Sequence, residues 1–363
     1  MRLFSVVRGA AAIILALAVG AIFVFLTSEE PWTALYYLLV GPLTRKLYIY
    51  DILAAMIPTV FTGLAVCVMF SANQFNLAGE GCTLAGGFIG GMLAVYLNMS
   101  TRWHGVVCVL IAAIACGLIM LIPALLKVKL GASEMVTSLM LNYIILYVVL
   151  HYLNNYFADR TMGATMSFPF HENARIPALV PGTSKLTVAF IVALVFTVFV
   201  SIFMYRTRWG YSIRMIGINQ QFAKYSGMKV GSTIVLSQVI GGLLSGMGGS
   251  LEVLGRYERF LWRELPGYGW EGITIAILAK NNPAYVPLAA FFLAYLNKGC
   301  MLMSTYSDVP SEMIDIIQAA IFLFFAAEQF LSRYRQRLVV KTTREELAQQ
   351  QLAGAIEGEG GNA

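Results

Sequence analysis

The sequence predicts an all-α fold, a polytopic transmembrane helical bundle. Of the 363 residues, 58% are hydrophobic and only 12% are charged, and the mean hydropathy is +0.72. A soluble protein of this size cannot bury so much apolar surface. The apolar residues also form runs of about 20, the length with which an α-helix crosses the hydrocarbon core. This pattern excludes soluble enzymes, nucleic-acid-binding domains, secreted disulfide-rich folds and the alternating strands of a β-barrel.

About ten apolar segments are separated by polar breaks. They lie at residues 9–26, 52–70, 82–98, 105–126, 135–157, 186–205, 231–252, 270–282, 284–303 and 311–331. Arg2 and Arg8 precede the first segment, as in a signal peptide. Because the chain that follows is itself full of spans, we expect an uncleaved first helix instead.

The basic residues predict the orientation of the bundle. With the N-terminus in the cytoplasm, 15 of the 25 lysine and arginine residues fall on inner segments. An even number of spans then places both termini in the cytoplasm. We therefore expect a single transmembrane domain at residues 1–331, followed by a cytoplasmic tail at 332–363 that is rich in charged residues, glutamine and glycine.

Two segments, at about 71–81 and 266–283, interrupt the apolar pattern with glycine, asparagine or proline. Irregular backbone at membrane depth is tolerated only where protein or a water-filled cavity covers it. The sequence 75–81 is loosely echoed by 269–272, each just before an apolar run. Two inverted five-helix repeats would explain this echo, but it is short, and a bundle without internal symmetry stays an open alternative.

Motifs for catalysis or metal binding are not supported by their context. The sequence 267–272 fits GxGxxG, but no hydrophobic strand or βαβ unit surrounds it. The chain contains no phosphate-binding GxxxxGKS or GxxxxGKT loop, so ATP would have to be bound by another polypeptide. The three histidines are scattered, and the five cysteines lack CxxC spacing. We therefore predict neither catalytic residues nor a metal site.

Glycines and polar residues within the apolar runs predict close helix packing and internal contacts. Gly86 with Gly90, and Gly242 with Gly246, have the four-residue spacing that lets helix backbones approach in lipid. Glu134, Ser138 and Asn142 share one face of the fifth span, where Glu134 is open to either a structural or a functional role.

Two further hypotheses concern charged residues and the loop after the sixth span. Lys298 and Asp315 come at similar depth, so we expect them to pair. The stretch 212–228 is predicted to form a short amphipathic helix, with Phe222, Ala223 and Tyr225 offering apolar contacts. Such a helix either lies on anionic lipid or docks a cytoplasmic partner.

Taken in order along the chain, five motifs resemble those of bacterial ABC-importer permeases of the ribose and simple-sugar type. They are Phe75–Gly81, Glu134–Tyr143, Gly217–Asn219 with Ala223 and Gly227, Gly267–Ile273, and Lys280–Pro283. Two further stretches resemble the nucleoside-importer branch of that group. They are Trp32–Leu35 through Gly41–Leu43, and Ile57–Ala65.

The resemblance implies a permease subunit of an ATP-driven importer, multi-pass in a bacterial plasma (inner) membrane. That branch pairs two related permeases with a cytoplasmic ATP-binding subunit and an extracytoplasmic substrate-binding lipoprotein. The implied partners are therefore these subunits, with a second copy of this chain as an alternative to a related permease, and no nucleic acid. This chain would hold no cofactor, because ATP and Mg would bind to the ATPase.

The resemblance also implies roles for particular residues. Those expected to couple the chain to the ATPase are Gly217, Asn219, Ala223, Lys224 and Gly227. Those expected along the substrate path are Asn73, Phe75, Asn76, Glu80, Ser138, Asn142, Trp270 and Glu271. The sequence departs from the family at Leu77-Ala78, where Ile-Gly is usual, and at Cys82, where glutamine is usual.

The expected cargo is a nucleoside or a similar small polar ring compound. The departure at Cys82 leaves a simple sugar or riboflavin as alternatives. A rival from another class is an ion-coupled secondary transporter, which would take up solute without an ATPase. A membrane scaffold without transport fits poorly, because polar groups are distributed along several spans.

Overall fold

The computed structural model describes residues 24–25, 28–99, 101, 103–161, 163, 165–180, 185–309 and 319. Apart from residues 24–25 and 319, the first and last predicted spans lie outside the described residues, as does the 332–363 tail. The predicted tail, the ten-span count, the inverted repeats and the orientation of the termini therefore stay predictions.

The described residues are helical almost throughout. The α-helices, in chain order, are α1 (Pro31–Leu39), α2 (Lys46–Ser71), α3 (Gly79–Tyr96), α4 (His104–Ile119), α5 (Leu121–Leu130), α6 (Glu134–Tyr152), α7 (Ala189–Arg206), α8 (Arg208–Ile218), α9 (Gln220–Tyr225), α10 (Val230–Arg256), α11 (Tyr268–Leu278) and α12 (Val286–Tyr306). A π-helical stretch, Leu153–Phe157, continues α6. Two isolated bridges, Ala158 with Ser167 and Ala178 with Thr187, are the only β-pairing among these residues. The all-α prediction is confirmed for this part of the chain.

Within the described residues, six helical stretches are long and apolar enough to cross a membrane. They are Lys46–Ser71, His104–Leu130, Glu134–Phe157, Ala189–Arg206, Val230–Arg256 and Pro283–Tyr306. The protein is therefore a multi-pass membrane protein. The predicted segment 270–282 corresponds to α11, which has 11 residues. At 1.5 Å per residue α11 is about 16 Å long, roughly half the thickness of the hydrocarbon core.

Helix α10 packs against α2, α3 and α4, and small residues allow its backbone to touch theirs. A Cβ atom at Gly249 would lie 1.9 Å from the carbonyl oxygen of Thr83, and one at Gly86 would lie 2.3 Å from that of Gly246. The Ser250 hydroxyl donates a hydrogen bond of 2.7 Å to the Gly86 carbonyl. Close backbone packing, as predicted from the glycine spacing, is confirmed.

The charge on Lys298 is paired, but with a partner that the sequence analysis did not select. Its Nζ lies 2.7 Å from Oδ2 of Asp51, near the start of α2, and 4.8 Å from the centre of the Tyr48 ring. Asp315, the partner expected from the sequence, lies outside the described residues. Asp51 was overlooked because it precedes the apolar run by which the second span was recognised.

Contacts divide the chain into two compact units, one of residues 36–302 and one formed by the two ends. In the unit formed by the ends, Asp308 accepts hydrogen bonds of 2.5 Å from the Ser28 hydroxyl and from the backbone N–H of Glu29. These two hydrogen bonds lower the pKa of Asp308. All features discussed below belong to the unit of residues 36–302.

Candidate functional site

The first interrupted segment, residues 72–78, connects α2 to α3 and is held by two polar side chains of α6. Asn142 accepts a hydrogen bond from the N–H of Gly81 (2.9 Å) and donates one to the carbonyl of Leu77 (3.0 Å). The Ser138 hydroxyl accepts from the N–H of Leu77 at 3.0 Å. Both side chains are buried. They therefore satisfy backbone groups that a broken helix would leave without partners in the membrane.

A second pair of amides fixes the same segment to α10. Asn76 accepts from the N–H of Ala78 at 2.8 Å and donates to Oε1 of Gln238, also at 2.8 Å. Both amides are buried. Sequence reasoning selected Asn76 but missed Gln238, although a single amide in an otherwise apolar run was the signal that could have identified it.

Glu80 joins the first interrupted segment to the second. One carboxylate oxygen accepts from the N–H of Gly267 and the other from the N–H of Gly269, each at 2.5 Å. These N–H groups lie at the beginning of α11, where the helix dipole favours a negative charge. Gly267 has a φ of +87°, and a Cβ at Gly269 would lie 2.4 Å from the Glu80 nitrogen, so glycine is required at both positions. We call these three residues the Glu80 junction.

The first residues of α11 also make contacts with α2 and α12. The Thr62 hydroxyl donates to the carbonyl of Tyr268 at 2.8 Å, which ties α11 to α2. The Glu271 carboxylate accepts a hydrogen bond of 3.0 Å from the Asn297 amide of α12. Trp270 has 44% of its surface exposed. The structure thus places six of the eight predicted path residues at, or directly next to, the hydrogen bonds that hold the two interrupted segments.

The other two predicted path residues, Asn73 and Phe75, lie in the first interrupted segment itself, shortly after the end of α2. Both are exposed, and the Phe75 ring packs on that of Phe70 with centres 5.0 Å apart. The backbone of α8 rests against this end of α2, because a Cβ at Gly217 would lie 2.0 Å from the carbonyl oxygen of Ser71. Asn73 and Phe75 therefore belong to the broken segment, next to the place where α8 contacts the end of α2.

The stretch 212–228 is not one helix, as expected from its amphipathic pattern, but the end of α8 followed by α9. The break falls at Asn219, whose side chain accepts a hydrogen bond of 3.0 Å from the N–H of Phe222 and so caps α9. Gly227, with a φ of +78°, follows α9. An asparagine that competes for backbone hydrogen bonds explains the interruption.

One residue of α9, Ala223, does not face outward as the sequence predicted. Ala223 is buried and packs with Ile216 and Ile234, so it faces the protein and not a partner. Lys224 is exposed, as are three large apolar side chains: Ile218 (78%), Phe222 (54%) and Tyr225 (90%). We call these three apolar residues, the last residue of α8 and two residues of α9, the α9 tip. Residues 212–228 therefore present an apolar surface with a basic residue beside it.

At the other end of α10 lies a cavity of about 380 Å³ that the sequence analysis did not identify. Its lining residues belong to the connection between α10 and α11 and to the first residue of α11: Tyr257, Leu261, Trp262, Arg263, Glu264, Leu265, Pro266 and Tyr268. The hydroxyl of Tyr268 donates to Oε1 of Glu252 at 3.1 Å. The residues between α10 and α11 show neither helical nor strand periodicity. The only feature of the sequence that could have indicated a binding site was the aromatic lining residues Tyr257, Trp262 and Tyr268.

The connection that lines the cavity is fixed by residues of the loop after α6. Arg259 donates to Oδ2 of Asp159 at 2.7 Å, and the N–H of Phe260 donates to the Ser167 hydroxyl at 2.9 Å. Hydrogen bonds from the Thr161 hydroxyl and from Arg259 lower the pKa of Asp159. The carboxylate therefore stays ionised at neutral pH, and the ion pair persists there.

Comparison with known proteins gives consistent matches over most of the chain. A family model described as branched-chain amino acid transport system / permease component matches residues 48–326. A guanosine ABC transporter permease of Bacillus subtilis is 31% identical and covers 87% of this chain and 91% of its own. A glucose ABC transporter permease of Haloferax volcanii is 30% identical (89% and 87%), and a nucleoside ABC transporter permease of Lactococcus lactis is 28% identical (88% and 90%).

Proposed function

Because the chain belongs to this family of ABC transporter permeases, we propose that it forms part of the transmembrane path of an ATP-driven importer. Members of the family are membrane components and not enzymes. The family implies an ATPase partner, which would hold ATP and Mg. The proposed transporter lies in the bacterial inner membrane, with about ten spans, a single domain over residues 1–331 and both termini in the cytoplasm.

The proposed cargo is a nucleoside or a similar small polar ring compound. Two relatives bear names for guanosine and nucleoside transport, and a third bears one for glucose. A simple sugar or riboflavin is the alternative cargo. We propose that a substrate-binding lipoprotein delivers the cargo from outside and that a second permease, either a related chain or another copy of this one, completes the path.

The observation that carries the proposal is the α9 tip beside buried Ala223. Large apolar side chains at the end of a helical pair, with Lys224 next to them, suit a docking groove on a cytoplasmic protein better than water. The proposed coupling residues are Gly217, Asn219, Ala223, Lys224 and Gly227. Of these, Gly217 and Ala223 act by packing inside the permease, whereas Asn219 and Lys224 face outward.

A chain of direct contacts supports transmission from this surface to the path. Gly217 of α8 touches the backbone at the end of α2, where the broken segment 72–78 begins. That segment leads to Glu80, which holds the beginning of α11. A displacement of α8 and α9 by the ATPase would therefore reach α11 through the backbone contact at Gly217 and the hydrogen bonds of the Glu80 carboxylate. In this account Asn76, Glu80, Ser138 and Asn142 support the path, and Trp270 and Glu271 lie on α11, which moves.

The double substitution of Phe222 and Tyr225 by alanine tests the proposed docking surface. We expect ATP-dependent uptake by the reconstituted importer to fall at least tenfold, because the apolar contacts with the ATPase are lost. Capture of substrate by the lipoprotein and the folded yield of the permease should not change.

The matched control is Tyr147→Ala on α6, which also removes an exposed aromatic ring. Uptake by this variant should stay within twofold of wild type, and co-purification of the ATPase should be reduced only in the double variant. Undiminished uptake by the double variant would refute the docking assignment.

A further inference from the structure

The cavity after α10 has the size and the lining of a small-molecule site. Ligand pockets in proteins usually have volumes of about 300–1,000 Å³, and this one measures about 380 Å³. Its lining residues come from the connection between α10 and α11 and from Tyr268, the first residue of α11. Its position at the opposite end of α10 from the α9 tip places it on the outer side in the proposed orientation, where the cargo arrives.

Three aromatic rings form the wall of the cavity. The Trp262 ring packs against those of Tyr257 and Tyr268, with ring centres 6.4 Å and 6.1 Å away. Trp262 also packs closely against α3, because a Cβ added at Gly87 would lie 2.6 Å from the Trp262 ring. A ring held in this way offers a rigid surface for stacking, at little cost in conformational entropy on binding.

Polar groups beside these aromatic rings can form hydrogen bonds with the edge of a planar ligand. The Tyr268 hydroxyl donates to Glu252, which is only 3% exposed and also accepts from Arg256 at 3.1 Å, so the hydroxyl oxygen is left able to accept from a ligand. Arg263 and Glu264 add a donor and an acceptor at the exposed rim. A nucleobase presents both hydrogen-bond donors and acceptors on its edge, together with flat faces for stacking.

The cavity is connected to the Glu80 junction through Tyr268. This residue lines the cavity and stands between Gly267 and Gly269, whose N–H groups bind Glu80. A ligand in the cavity therefore touches the first turn of α11. A site at this place is positioned to pass its ligand inward when that helix moves.

We propose that Trp262 and Tyr268 form an entry site that selects the planar heterocyclic base of the cargo over its sugar. This inference rests on the proposed transport function and deepens it by naming the residues that discriminate. Trp262 supplies the stacking face, and Tyr268 supplies a hydrogen-bond acceptor next to the α11 turn.

Guanosine and free ribose are suitable probes, because both contain ribose and only guanosine carries a base. In the complete importer, with the lipoprotein and the ATPase present, Trp262→Ala should raise the KM for guanosine uptake at least tenfold with kcat changed less than threefold. Trp262→Phe, which keeps an aromatic face, should stay within about threefold of the wild-type KM. Excess ribose should not compete with guanosine in the wild-type protein.

Two further variants keep the test decisive. Trp103→Ala removes an exposed tryptophan far along the chain from the cavity and serves as the matched control, with an unchanged KM. If Trp262→Ala gives no folded protein, Tyr268→Phe removes only the hydroxyl, and we expect it to raise the KM for guanosine about threefold or more.

The possible results separate the two proposals. ATP-dependent guanosine uptake with a wild-type KM in Trp262→Ala, or in Tyr268→Phe if the first variant does not fold, would overturn the entry site and leave the transport function intact. Effective competition by ribose would also overturn it, because the base would then not be selected. If the wild-type importer transports neither guanosine nor ribose with ATP, the proposed nucleoside cargo is wrong, and the entry site is overturned with it.

Discussion

Replacement of Glu80 by glutamine is expected to lower the free energy of unfolding by about 3 kcal/mol and to abolish uptake. Each carboxylate oxygen of Glu80 accepts a backbone N–H at the start of α11. A glutamine amide has only one acceptor oxygen, so its NH₂ group would face one of these N–H groups. The buried N–H would lose its partner, and the negative charge at the helix N-terminus would be lost as well.

Thermal or denaturant unfolding of the purified permease in detergent measures the first effect, and uptake by the reconstituted importer measures the second. Glu134→Gln is the matched control. Glu134 is also in the first turn of a helix, but it is partly exposed and paired with Lys127 at 2.6 Å. We expect this control to cost less than about 1 kcal/mol. A stability of Glu80→Gln equal to that of the control would contradict the role assigned to the Glu80 junction.

The second large effect is expected from Gly249→Val. A Cβ at this position would lie 1.9 Å from the carbonyl oxygen of Thr83, and the neighbouring atoms of Thr83 are backbone too. Since neither α10 nor α3 can yield by a side-chain rotation, the helices must separate along their contact. We expect a destabilisation of roughly 3 kcal/mol or more and little folded protein in the membrane.

The folded yield, measured by size-exclusion chromatography in mild detergent, checks this prediction. Gly163→Ala serves as the control, because Gly163 is exposed and a Cβ added there would meet no atom within 4 Å. Its yield should equal that of wild type. Normal yield of Gly249→Val would show that α3 and α10 do not pack backbone to backbone.

The helices themselves could be predicted from the sequence, because hydrocarbon forces every spanning backbone to satisfy its own hydrogen bonds. Each apolar run between residues 52 and 303 coincides with a helix, except that the run 105–126 covers both α4 and α5. The two interrupted segments were also recognised, since glycine and asparagine stand out against an apolar background. Their contact was harder to foresee, because Gly267 is 187 positions from Glu80 in the chain.

Residue roles could be predicted only in part. The cost of polar groups in lipid pointed to Asn142, and the family resemblance pointed to Asn76 and Glu80. The sequence did not reveal that each of these side chains bonds to backbone groups. Gln238 was missed because its partner, Asn76, comes from a broken segment whose path the sequence leaves undefined. The aromatic cavity was missed because its connection lies outside the apolar runs.

Uptake of guanosine into vesicles with and without the ATPase tests most directly the claim that this chain supplies a path and a partner supplies the energy. The vesicles contain this permease and its partner permease, and the lipoprotein is added outside. We expect accumulation only when the ATPase and Mg·ATP are present, whether or not an ion gradient is imposed. Accumulation driven by an ion gradient in vesicles that lack the ATPase would contradict the account and identify a secondary transporter.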